Sequence, residues 1–465
     1  MLGKVRTIFG KIHAAEVILA VFFVVYASYF LFLSFSRHNN YRSLRLDLGN
    51  MDQTVWNVHN GNGFVLTDPE GEDEQSRLAI HGDFLLIFLA PLYSLWSDPR
   101  MLLIVQTLAI SLGVLPVYLL AKTKTNSKSI GVVFGILYLL YPALHRLLLH
   151  DFHAVALATP LFLFAFWFLD SGKITAFLLT CVLAGLTKED MWLVTGLLGI
   201  YAAWIRRLRW AGIGLAIVSF ALFYYLFWVA IPAVTPDRQH FALSYLSEFG
   251  GSLNGIAKNL LKNPLGIIPV LIAPDRLWYY FQLFVPVGFL SVFSPLFLVF
   301  SAPALGINIL SSNGNMRMID YQYTSAITPF IFISAIFGFS ALKRFLVKRL
   351  QMKPIVRWIP VGILSVVLLC AGYATYQWGE FPFSPTSRFK TFTTVPHHKD
   401  RMDWVKHYIP QSASVSATNN LGAHYSQRKI LYNFPVGATK ADYSVVLLGD
   451  FYAWPSSEAQ QATVD

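Results

Sequence analysis

The sequence predicts an all-α polytopic membrane protein with a small C-terminal α/β domain. Three observations predict it: the composition, a series of long apolar segments, and a change of pattern beyond Trp378. Of the 465 residues, 55% are hydrophobic and 13% charged, and the mean hydropathy is +0.51. A soluble domain of this size cannot hide so much apolar surface. The formal charge of +11 sits in short Lys and Arg clusters between apolar segments, which is a topology signal rather than a nucleic-acid surface. Aromatic residues make up 15%, and Trp and Tyr near segment ends suit rings seated at headgroup level. Cys181 and Cys370 lie inside apolar segments without a CxxC partner, so the pattern implies neither a disulfide framework nor a zinc site.

In chain order, Lys4, Arg6 and Lys11 precede the apolar run Val17 to Phe35. This run is too long for a signal-peptide core and reads as an uncleaved first span with a cytoplasmic N-terminus. Residues 37–80 form a polar outer loop, and the stretch from Arg45 to Trp56 organises it. Its spacing predicts a helix lying on the membrane surface, with Leu48, Met51, Val55 and Val58 on one side and Asp52, Trp56 and His59 on another. Asp47 opens that helix. It reads either as a capping carboxylate or as a general base whose pKa desolvation raises toward the working pH. The acidic run Asp68 to Glu74 lacks calcium-loop spacing and reads as a solvated spacer.

His81-Gly82-Asp83 leads into the short stretch Phe84 to Trp96, which is read as a re-entrant or interfacial helix. Six apolar segments follow: Met101 to Ala121, Ile130 to Leu149, Phe152 to Leu169, Ile174 to Leu186, Met191 to Ile205 and Trp210 to Ile231. Alternating them puts Lys122, Lys124 and Lys128, then Lys173, then Arg206, Arg207 and Arg209 on the cytoplasmic side. The other face then collects Asp47, Asp52 and His81, the run His150-Asp151-Phe152-His153, and Lys188-Glu189-Asp190. Ionisable groups at that depth are expensive without partners or work, so these clusters are expected to converge.

Pro232 to Trp278, with Gly250 and Gly251, reads as an outer loop. Gln282 to Leu310, broken by Pro286, Pro295 and Pro303, is long enough for two short or kinked spans. Ala326 to Leu342 and Trp358 to Tyr376 complete a count of about eleven spans. Residues 1–376 thus form the membrane module and 377–465 an outer cap. In the cap, His397 to Tyr408 reads as a helix, and Ser412 to Ala417, Lys429 to Tyr432 and Tyr443 to Leu448 read as strands.

Set side by side, the polar motifs resemble an uncharacterised family of bacterial predicted membrane proteins known as a domain of unknown function. The residues that carry the likeness are Asp47-Leu48-Gly49 with Gln53 and Trp56; His81-Gly82-Asp83-Phe84; Ala90-Pro91-Leu92-Tyr93; Asp151-Phe152-His153; Lys188-Glu189-Asp190; Tyr321-Gln322-Tyr323; and the stretch from Ile409 to Val415. A His expected near Tyr321-Gln322-Tyr323 is replaced by Gln322 or Asp320. In layout the chain is similar to the GT-C superfamily, the multi-span glycosyltransferases that use polyprenyl-phosphate sugars. Asp47 matches the position of their acidic residue in the first outer loop.

The resemblance implies transfer of a sugar from a polyprenyl-phosphate donor to an acceptor at the outer face of the bacterial cytoplasmic membrane. Asp47 would be the base and Asp52 a second carboxylate, with Lys188, Arg45 or a nearby His as phosphate ligands. His81, Asp151, His153, Glu189, Tyr321 and Tyr323 complete the expected substrate-binding set. For Lys188 an ion pair with Glu189, Asp190 or Asp151 is the competing reading. For the histidines it is a structural hydrogen bond, and for the two tyrosines interfacial anchoring. Asp151 with His153 supplies two metal ligands but no third, so no metal site or cofactor is assigned and a divalent ion stays open. A transporter or flippase with an ionisable path is the rival class, although the sequence shows no internal repeat.

Overall fold

The computed structural model describes residues 14–465, apart from 72, 236–237, 250–254, 256–257, 259–260, 351–352 and 450–451. Lys4, Arg6, Lys11, Glu72, Gly250 and Gly251 therefore lie outside the described residues. Among those described, five helices are long and apolar enough to cross a bilayer: Ala14–Asn39, Arg100–Thr125, Arg209–Val234, Thr328–Leu350 and Ile359–Trp378. The pair Lys128–Leu139 and Pro142–Leu148, bent by 48°, makes a sixth if counted as one span.

This is fewer than the roughly eleven spans that apolar length predicts, because apolar length is not helix length. The segments Ala158–Asp170, Ile174–Gly185 and Met191–Trp204 are 13, 12 and 14 residues long. At 1.5 Å per residue each rises only about 20 Å, against a hydrocarbon core of about 30 Å. Between Gln282 and Leu310 the two expected spans are replaced by 3₁₀ turns at Val285–Val287, Leu290–Phe293 and Pro295–Ser301 and one short helix, Ala302–Leu310. Pro286, Pro295 and Pro303 each lack the N–H that a continuous helix needs.

The helix ends sort into two sets. At one end Lys124 reaches Asp170 at 2.5 Å and Arg206 reaches it at 3.5 Å, while Lys122 and Lys128 both pair with Glu16 at 3.4 Å. These are the basic loops that the alternation of segments groups together. At the other end Arg37 pairs with Asp151, and Arg146 pairs with Asp320 at 2.9 Å and with Glu380 at 3.1 Å.

The first polar loop starts with a π-type turn, Arg45–Gly49, and continues as the helix Asn50–His59. Leu48, Met51 and Val55 are buried together, as the spacing predicts, but the helix does not lie free on a surface. They pack with Leu85, Leu86, Tyr93 and Ala423 in one apolar cluster, so the loop is held between the short element Leu85–Ser94 and the C-terminal segment. Val65–Thr67 (β1) and Glu74–Ser76 (β2) form an antiparallel pair at the loop's edge.

In the C-terminal segment the helix Lys399–Tyr408 precedes a three-stranded sheet of Val415–Ala417 (β3), Leu431–Asn433 (β4) and Tyr443–Val445 (β5), in the order β4-β3-β5. Both pairings are parallel. This segment docks on the first loop at close range. A Cβ on Gly422 would lie 2.5 Å from Cβ of Arg45, and one on Gly49 would lie 3.4 Å from Cα of Ala423. At Gly422 a side chain has no room unless Arg45 moves, whereas at Gly49 the contact with Ala423 is close but ordinary.

Candidate functional site

Asp47 leaves the π-type turn, and no side-chain capping bond forms at that turn or at the helix start. Its Oδ1 stands 3.3 Å from Nε2 of His153, with the Asp47 side chain 22% and the His153 side chain 8% exposed. His153 belongs to the loop 150–153, where Asp151 adopts φ of 69°, a conformation that Asp tolerates better than most residues. Gln106 pins this loop twice, because its Nε2 donates to the Asp151 carbonyl at 2.8 Å and its Oε1 accepts from the His153 N–H at 2.9 Å. The ring of His150 stacks on His153 at 5.1 Å and meets Tyr321 edge-on at 4.7 Å. One ligand atom each from Asp47, His150 and His153 can be chosen so that all lie within 4.8 Å of one another.

The electrostatics here differ from the sequence expectation. Burial alone would raise the Asp47 carboxyl. The hydrogen bond from His153 and the neighbouring His150, His153 and Arg37 outweigh burial and hold the carboxyl at about 2. Asp47 is therefore ionised throughout the physiological range and is too weak a base to work alone. His150 moves the other way. Burial, reinforced by His153 and Arg37, outweighs the attraction of Asp47 and lowers the imidazole to about 3, so it is neutral at pH 7.

His153 also lines a cavity of about 430 Å³. One part of the wall is apolar, with Phe223, Phe227, Trp228 and Leu243, and another carries His81, Lys188, Glu189, His240 and Tyr323. Glu189 is buried and accepts from the Gly82 N–H at 2.9 Å, and both His81 and His240 contact its Oε1 at 3.1 Å. Burial would raise the Glu189 carboxyl, yet these partners and Lys188 hold it well below the usual range. Lys188 pairs with Asp190 at 3.6 Å and keeps 22% side-chain exposure. Burial would lower its ammonium, but Asp190 and Glu189 outweigh that and raise it. Lys188 therefore stays charged, as the ion-pair reading expects, and still faces the cavity. Gln322, which stands where a His was expected, also lines the cavity, and its Oε1 is buried without a partner among the described residues. Asp320 is engaged by Arg146.

Three expected site residues stand elsewhere. Arg45 is fully buried and donates to Asn50, to Gln53 at 3.3 Å, and to the carbonyls of Thr67 at 3.1 Å and Leu431 at 3.0 Å. Its guanidinium is spent on joining the first loop to β4. Asp52 is fully buried and accepts from Tyr93, from Ser426 at 2.6 Å and from Gln427 at 3.2 Å. Asp151 accepts from Arg37 and from the Leu44 N–H at 2.9 Å. None of the three lines the cavity.

Burial outweighs the three hydrogen bonds to Asp52 and pushes its carboxyl up to about 6. A folded-state value above the unfolded one stabilises below about pH 4, and the contribution is lost as pH rises through about 6. Resistance of the C-terminal segment to proteolysis is therefore expected to fall across that window and to change little in Asp52→Asn. An unchanged slope in the variant would assign the effect to another group.

A protein-family model, DUF2079, described as a predicted membrane protein, matches residues 37–463. The chain belongs to this family. No curated protein matches it. The match places every motif above, from Asp47 in the first loop to the sheet that docks on it, within one DUF2079 region. His240 and Arg146 escaped the sequence reading. His240 sits in a weakly patterned loop, and the partners of Arg146, Asp320 and Glu380, are more than a hundred residues away in sequence.

Proposed function

We propose that this membrane protein is a transferase for a lipid-linked substrate with an anionic phosphate, and that the reaction is sugar transfer from a polyprenyl-phosphate donor. The observation that carries this reading is the cavity: its apolar lining suits the lipid, Lys188 suits the phosphate, and His153, with Asp47 beside it, lines the same cavity. The acceptor's O–H gives its proton to the Asp47–His153 pair, and its oxygen bonds to the anomeric carbon. The bond from that carbon to the phosphate oxygen breaks, leaving its electron pair on the phosphate, where Lys188 offsets the charge. The positive-inside pattern supports an outer-face position for the cavity end at the bacterial cytoplasmic membrane and a cytoplasmic position for the Lys124 and Arg206 end.

The test uses the full-length protein in vesicles with a labelled polyprenyl-phosphate sugar. The donor is expected to raise the thermal midpoint and to be converted to polyprenyl phosphate. Lys188→Ala is expected to weaken donor binding by about 10- to 100-fold, the loss of one charge-assisted contact. Movement of intact donor between leaflets without cleavage would make the protein a flippase instead. Absence of both binding and cleavage would remove the lipid-linked substrate altogether.

A further inference from the structure

We infer that Asp47, His150 and His153 form a binding site for one divalent transition-metal ion of the zinc class. The site lies where the transferase reading places its chemistry, but the binding itself does not depend on that reading.

Asp47 Oδ1 and His153 Nε2 are 3.3 Å apart, whereas a charge-assisted N–H···O⁻ bond closes to about 2.7–2.9 Å. Two ligand atoms that each stand about 2.1 Å from a tetrahedral ion are separated by roughly 3.4 Å. The contact is long for a shared proton and right for a shared ion. His150 supplies the third ligand from the same side, its ring nearly parallel to that of His153 at 6° and all three ligand atoms within 4.8 Å. A side-chain adjustment of under about 1.5 Å brings that nitrogen to ligand distance.

His153 also carries an unmet valence. Nδ1 of His153 is buried and has no hydrogen-bond partner among the described residues, in a residue only 6% exposed. In the metal-free ring Nε2–H faces Asp47; an ion takes that nitrogen's lone pair instead, with the proton on Nδ1, where no partner among the described residues competes for it. The Arg37 guanidinium, which acts on Asp47, is itself held by Asp151.

The donor set names the ion. Two imidazoles and one carboxylate suit zinc and its neighbours rather than calcium or magnesium, which take all-oxygen shells. Three protein ligands leave a fourth position open, and His153 lines the cavity, so an oxygen of a bound molecule or water can occupy it. An ion held there would polarise a coordinated oxygen as a Lewis acid.

The experiment is metal binding to the full-length protein, purified without a polyhistidine tag and stripped with chelator. Zinc titrated calorimetrically is expected to bind at one equivalent per chain, and Co²⁺ is expected to give a visible d–d band of a low-coordinate nitrogen and oxygen site. His150→Ala and His153→Ala are each expected to weaken zinc at least tenfold. His150→Gln and Asp47→Asn are more nearly isosteric and serve if an alanine variant fails to fold. Less than a tenth of an equivalent of zinc in the wild type would overturn the inference, as would full retention of the site in a folded variant lacking both imidazoles. Zinc binding without donor cleavage would keep the site and sink the transferase reading. Cleavage by a protein that binds no zinc would do the reverse.

Discussion

Asp47→Asn is expected to lower turnover of a lipid-linked sugar by about 10²–10⁴-fold, the range for losing a positioned proton-transfer group, and to lose the stability that the depressed carboxyl contributes near neutral pH. Asn keeps the volume of the side chain but cannot hold a positive charge at His153, whether that charge is a proton or an ion. The pH dependence separates this role from that of a free-standing base. With its carboxyl at about 2, Asp47 contributes fully to stability above its unfolded value near 4. That contribution is lost only as pH falls toward about 2. Between about pH 5 and 8 the Asp47 carboxyl stays ionised, so the variant's rate should be lower throughout that range, and a variant as active as wild type at any pH within it would remove Asp47 from the reaction.

Arg37→Ala is expected to destabilise the protein by about 3–5 kcal/mol, the cost of leaving a buried charge without its partner. The Asp151 side chain is fully buried and its pair with Arg37 is 7% exposed on the arginine side, so no solvent stands ready to replace the guanidinium. Arg37→Met combined with Asp151→Asn should recover most of the loss. Asn tolerates the positive φ at 151, and its amide oxygen still accepts from the Leu44 N–H. Unfolding by sodium dodecyl sulfate in mixed micelles gives the comparison. A single variant within about 1 kcal/mol of wild type would mean that the pair is solvated and behaves like a surface bridge.

The two predictions concern neighbouring carboxylates with opposite assignments, and the sequence could not tell them apart. Asp47, Asp52 and Asp151 all read as candidate site residues because each lies in a polar cluster at the same membrane face. In the structure Asp47 meets His153 at the cavity wall, Asp52 is sealed against Ser426 and Gln427, and Asp151 holds Arg37. Likewise His153 looked one ligand short because Asp151, its sequence neighbour, was the carboxylate in view. The carboxylate beside it in space is Asp47, and His150 comes with it.

What the sequence by itself determined is the membrane class, the sorting of basic loops and polar clusters to opposite helix ends, and the buried face of the first-loop helix. These follow from composition and periodicity, which act along the chain and need no knowledge of long-range contacts. The tertiary structure alone decided how many apolar segments form helices long enough to cross a bilayer, because prolines and 3₁₀ turns shorten helices without lowering hydropathy. It also decided which charges pair. Arg37 finds Asp151 across 114 residues and Ser426 finds Asp52 across 374. A helical period says which face a side chain takes, but only packing says what stands opposite.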